Sequence, residues 1–148
     1  MDGFFCVGPA WAAEPQTILE LLNSTLRVIP FIVAADGSVI LLTRLNLDWA
    51  MAGEQVESDL ILPADYLVSR SEPVELEFVN GTTIDGVMQM EVTEERSRAS
   101  DFLNGPAEFY PVLTRIGTLL VNKSRVRETR LSGTKPRPSP SQRAVHEA

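Results

Sequence analysis

The chain has 148 residues, 44% of them apolar and 22% charged, a composition that supports a packed core and excludes disorder of the whole chain. No apolar run reaches the roughly 18 to 20 residues of a membrane helix, so a soluble, cytoplasmic protein without membrane association is expected. The net charge of −7 is uneven: segment 123–148 carries seven basic residues against Glu128 and Glu147, a net +5, which leaves −12 on residues 1–122. Such a body repels a phosphate backbone at long range, and only the C-terminal segment attracts one.

The first residues, Met1-Asp2-Gly3-Phe4-Phe5-Cys6-Val7-Gly8-Pro9, lack a basic leader and interrupt their short apolar stretch with glycine and proline, so an export signal is not expected. Cys6 is the one cysteine, which rules out an internal disulfide, fits a reducing compartment and reads as a small buried apolar residue. Asn23-Ser24-Thr25, Asn80-Gly81-Thr82 and Asn122-Lys123-Ser124 match the glycosylation pattern but read more simply as turn and cap chemistry.

Laid against itself, the chain repeats. At an offset of 81, Glu14 to Asn23 falls on Glu95 to Asn104 and Pro30 on Pro111. Past the turns at Gly37 and Gly117 the offset drops to 79, pairing Leu41-Leu42-Thr43-Arg44 with Leu120-Val121-Asn122-Lys123 and Leu47 with Val126. A hairpin turn two residues shorter accounts for the change. Near the N-terminus, Asp2-Gly3-Phe4-Phe5 lies over Asp85-Gly86-Val87-Met88. The common order of these matches indicates duplication: a first copy over 1–59, a connector over 60–73, a second copy over 74–131, and a disordered, basic, Pro- and Ser-rich tail over 132–148.

The second copy is the clearer one. Val74 to Phe78 alternates, Asn80-Gly81 signals a hairpin turn, and Thr83 to Val92 resumes a strand. Ser97 to Asn104 predicts a short helix capped by Ser100 or Asp101, with Phe102 and Leu103 inward and Asn104-Gly105-Pro106 ending it. Phe109 to Ile116, Thr118 to Lys123 and Arg125 to Leu131 complete the set. The chain is therefore expected to be mainly β with short helices, as two tandem, diverged copies of a small antiparallel barrel or half-barrel. The first copy lacks the strand that opens the second. Either Leu60 to Val68 fills that gap, another subunit does, or the chain starts upstream of Met1.

Arg98-Ala99-Ser100-Asp101-Phe102-Leu103-Asn104, followed by Phe109 and Leu120-Val121-Asn122-Lys123, resembles a signature of uncharacterised bacterial proteins. The hairpin and the closing Val-Asn-Lys strand are also similar, more distantly, to the strand motifs of Sm-like barrels. That resemblance implies an Sm/SH3-like small barrel, ring assembly and RNA binding. In the first copy Thr43-Arg44 stands where Asn122-Lys123 would be, and no Ser-Asp precedes Leu21-Leu22-Asn23.

Catalysis finds little support in the residues. The one histidine, His146, lies in the tail, and no Cys/His cluster offers zinc ligands. The glycines sit singly at turns rather than in a phosphate loop. Of the carboxylates, only Asp85, Asp101 and Glu108 are candidates for convergence. No enzyme activity, cofactor or metal is expected. The favoured reading is a non-enzymatic module that associates with itself or another protein through sheet edges and apolar strand faces, with Trp11 and Trp49 as anchors. The alternative is an Sm-like nucleic-acid-binding protein using Arg125, Arg127, Arg130, Lys135 and Arg137. Candidate contact residues are Arg44, Asp101, Asn104, Lys123, Arg125, Arg127 and Arg130. For Asp101 and Asn104 the plainer role is helix capping, and for Arg44 and Lys123 it is charge at a strand edge.

Overall fold

A computed structural model of the chain describes residues 1–8 and 15–131. Trp11, the tail over 132–148 and, within it, Lys135, Arg137, Arg143 and His146 lie outside the described residues. The fold is mainly β. In chain order it runs β1 (Gly3–Phe5), α1 (Ile18–Leu22), β2 (Val28–Val33), β3 (Val39–Thr43), a 3-10 turn (Arg44–Asn46) and β4 (Trp49–Gly53). After α2 (Ser58–Ile61) come β5 (Arg70–Phe78), β6 (Thr83–Met90), α3 (Ala99–Leu103), β7 (Phe109–Thr114), β8 (Gly117–Asn122), a second 3-10 turn (Lys123–Arg125) and β9 (Val126–Leu131). The series strand, helix, strand, strand, 3-10 turn, strand thus occurs over β1 to β4 and over β6 to β9.

Two antiparallel sheets result, a three-stranded one in the order β1-β2-β3 and a six-stranded one in the order β4-β8-β7-β6-β5-β9. Neither closes on itself, so β1, β3, β4 and β9 are edges. The hairpin β5-β6 forms as its alternation dictates: Val74, Leu76 and Phe78 point into the core while Glu75 and Glu77 face outward. It begins at Arg70 rather than Val74. Pro73 is accommodated because the ladder to β9 starts one residue later, at Val74↔Leu131. Pro30 and Pro111 sit the same way, each just past the end of its strand's ladder to the preceding strand, at Phe5↔Phe31 and Met88↔Val112.

Two apolar clusters form the interior. One gathers Val74, Leu76, Phe78, Met88, Met90, Tyr110, Val112, Leu119 and Val121 around β5 to β8. The other joins Leu19, Leu21, Leu22 and Ile29 to Ala52, Ile61, Phe109 and Leu120. Strand β8 therefore serves both: Leu119 and Val121 face one cluster and Leu120, on the opposite face, enters the other.

The stretch from Leu60 to Val68 does not supply the strand expected to be missing. Its start closes α2, where Ile61 is buried in the second cluster with Val56, Leu62 and Tyr66 packed beside it, and the Tyr66 hydroxyl donates to the Gln89 carbonyl at 2.8 Å. Proline at position 63 and the absence of alternation favour this compact connection over a ladder. Cys6 also departs from expectation, being exposed rather than buried. It follows a three-residue strand whose inward position is taken by Phe5, which packs edge-on against Phe31.

Candidate interaction surface

Strand β4 leaves the first part of the chain and completes the sheet of the second, pairing with β8 from Trp49↔Val121 to Gly53↔Gly117. Side chains lock this joint at both ends. Asn122, wholly buried, donates through Nδ2 to the carbonyls of Leu45 and Leu47, both at 2.9 Å, while its Oδ1 accepts from the Ser124 backbone N–H and hydroxyl. Asn23 ends α1 and reaches the β7 backbone in both directions, accepting from Phe109 N–H at 2.7 Å and donating to Phe109 O at 3.1 Å. The half-buried Trp49 ring lies 4.7 Å from that of Phe78 and so packs inside the same chain. Arg44, buried, pairs with Glu108 at 3.0 Å, and Asp48 accepts from Arg125 at 2.9 Å and from Asn80 at 3.2 Å. The isolated carboxamides of Asn23 and Asn122 outlined no contact in the sequence because their partners lie 75 to 86 residues away.

The other candidate residues are engaged as follows. Lys123 Nζ donates to the carbonyls of Phe102 and Gly105 at the end of α3 and lies over the Phe102 ring, and burial pushes its ammonium below the usual lysine range. Arg44 treats α1 the same way, donating to Leu22 O at 2.8 Å and Leu26 O at 2.6 Å. Both therefore close off helix carbonyls. Asp101 accepts from the Arg98 N–H at the start of α3. Arg127 pairs with Glu77, and Arg130 with Glu128 at 2.9 Å and Glu75 at 3.9 Å. Those two carboxylates hold the exposed Arg130 guanidinium above its ordinary range, Glu128 most strongly. Asn104 stands apart: it is exposed, and its side-chain amide has no partner among the described residues. Asp85, Asp101 and Glu108 do not form a common centre, since Asp85 lies across from Glu75 on β5 and the other two have the partners just given.

One open surface is apolar. The outer face of the three-stranded sheet aligns Phe4, Ile32 and Val39 in one row and Pro30 and Leu41 in the next, with Val28 beyond. Of these, Leu41 is 68% exposed, Val39 63% and Phe4 62%. A contiguous apolar face of this kind is uncommon on a folded surface that meets only water. The run Val39-Ile40-Leu41-Leu42 conceals it in the sequence, because inward and outward positions are equally apolar. A groove runs between α3 and β9, lined by Leu103, Tyr110, Lys123, Val126, Arg127, Glu128 and Thr129. Among the described residues no helix is long and apolar enough to cross a membrane. Comparison with known protein families, curated proteins and solved structures finds no match to this chain.

Proposed function

We propose that the chain is a non-enzymatic interaction module that associates with itself through sheet edges and an apolar strand face, and that it consists of two diverged copies of one small half-barrel unit. The observation that carries the self-association is the exposed outer face of β1-β2-β3, with Phe4, Val28, Val39 and Leu41 beside the unpaired edge of β3. Burying such a face removes about 25 cal/mol of unfavourable hydration per Å².

Several pairs of matched positions support the duplication, because each pair has one physical cause. The N–H of Arg44 bonds to Arg27 O and that of Lys123 to Glu108 O, and these residues correspond at the offsets of 79 and 81. Asn23 and Asn104 both end a five-residue helix by donating their backbone N–H to its last carbonyls. A Cβ on Gly3 would lie 2.1 Å from Ile32 O, and one on Gly86 2.8 Å from Leu113 O, so both sites need glycine for the approach of the next strand.

Binding of nucleic acid is the weaker reading. The three described arginines assigned to it each face a carboxylate: Arg125 Asp48, Arg127 Glu77 and Arg130 Glu128. The test is the mass in solution, by light scattering over a concentration series, of the full chain and of a chain ending at Leu131. Association of both supports the module. A monomer in both at every concentration refutes it, and mass gained only with the tail and added RNA favours the alternative.

A further inference from the structure

We infer that the partner is a second copy of this chain and that it docks head to tail: β3 of one molecule adds to the free edge of β9 of the next, with its outer face against the groove beside α3. This rests on the reading of the chain as two copies that self-associate, and it specifies the two surfaces and the register.

The molecule already makes this joint once, internally. There the last strand of the first half, β4, receives β8 of the second half, and α1 lies against Phe109 and Leu120 on the outer face of that half. By the offsets of 79 and 81, β4 corresponds to β9, β8 to β3, α1 to α3, Phe109 to Val28 and Leu120 to Leu41. Phe109 and Leu120 are 1% and 0% exposed, whereas Val28 and Leu41 are 44% and 68% exposed. The same surface is covered in one half and bare in the other.

The receiving side is bare as well. Where β4 and α1 hold the face that carries Leu120, β9 and α3 border an open groove whose floor is Leu103, Tyr110, Val126 and Thr129 and whose rim carries Lys123, Arg127 and Glu128. Asn104, the counterpart of Asn23, has a side-chain amide without a partner among the described residues, whereas in the internal joint the Asn23 amide grips the Phe109 backbone. In the docked pair Asn104 would grip the backbone of Val28. Transferring the internal register, Ala50↔Leu120 becomes Thr129↔Leu41 and Met51↔Leu119 becomes Arg130↔Ile40, each pair spanning two molecules.

Two substitutions make this second joint weaker than the first. Glu128 stands in the place of Trp49, and Arg27 in the place of Glu108, so neither the ring contact with Phe78 nor the Arg44 ion pair has a counterpart. The intermolecular joint is therefore reversible where the internal one is permanent. Because the surfaces are different on the two sides, the contact is heterologous and propagates until a ring closes or a filament grows.

The test uses full-length chains in which Cys6 is replaced by serine. One carries Thr129→Cys, a second Leu41→Cys and a third Phe4→Cys, and each of the last two is mixed with the first under mild oxidation. Residues directly opposite across antiparallel strands bring Cα atoms to about 4.5–5.5 Å, within the separation a disulfide spans. Phe4, on the same apolar face, lies two strands away from β3, roughly 9 to 10 Å further. Thr129→Cys should cross-link to Leu41→Cys at least about tenfold more than to Phe4→Cys. Equal or inverted yields from a chain that still associates would overturn the register and leave the self-association standing. No cross-link together with a monomeric mass would remove both.

Discussion

Asn122 offers the sharpest test of how the halves are held together. Alanine at this position removes four hydrogen bonds. The two to Ser124 lie in a partly exposed turn, where water replaces them. The two to Leu45 and Leu47 leave carbonyls of the first 3-10 turn without their donor, and the wholly buried side chain leaves a small void. At about 1 kcal/mol for each lost bond plus the void, Asn122→Ala should cost about 2–4 kcal/mol. Asn122→Asp keeps the shape and the acceptor toward Ser124 but sets a carboxylate oxygen against both carbonyls. It should therefore be more damaging than alanine, although it is closer in size. Urea unfolding followed by tryptophan fluorescence reads the joint, since Trp49 sits within it against Phe78. An alanine variant within about 0.5 kcal/mol of the parent, or an aspartate variant milder than alanine, would refute the reasoning.

Other expectations concern the same joint and the core. A Cβ on Gly117 would lie 2.1 Å from Ala52 O across the β4–β8 ladder, at a φ of +147°, whereas Gly37, at +71°, has no atom in the way. Gly117→Ala should thus cost more than about 2 kcal/mol and Gly37→Ala about 1 kcal/mol, and equal urea midpoints would contradict this. Burial raises the Tyr110 phenol above its ordinary 10, and burial with help from Glu91 raises Tyr66. Above pH 10 the unfolded chain loses these protons while the folded chain keeps them, so their stabilisation is complete below pH 10 and declines as pH rises beyond it. The melting temperature should fall between about pH 10 and 11, less steeply in Tyr110→Phe, and an identical slope in the variant would contradict the assignment.

The fold was legible where one face of a strand is wet. Val74 to Phe78 and the Asn80-Gly81 turn announce β5 and β6 because glutamates alternate with core residues, and the short helix follows from its stop at Asn104, although its N-cap is Arg98 rather than Ser100 or Asp101. Where both faces are apolar, alternation vanishes: Leu119-Leu120-Val121 in β8 serves two clusters, and Val39 to Leu42 in β3 conceals its outward side chains. The four-residue helix α2 is too short to leave a period, so the connector's role as a cap over Leu19 and Leu22 could not be read. Arg44 and Lys123 occupy matched positions in the sequence, but their bonds to helix carbonyls need the third dimension. Asn23 and Asn122 read as turn and cap residues and do end α1 and open the second 3-10 turn, but their further role as donors that join the two halves is defined by contacts between residues far apart in the chain.

Self-association through the bare face and edge at β3 can be tested on a single exposed residue. Leu41 is 68% exposed, so Leu41→Arg leaves the core untouched while placing a charge where the contact forms. Light scattering of the parent and Leu41→Arg chains, side by side and over the same concentrations, tests it most directly. The parent mass should rise above the monomer with concentration while the variant stays monomeric. A monomeric parent, or a variant that associates as the parent does, would contradict it.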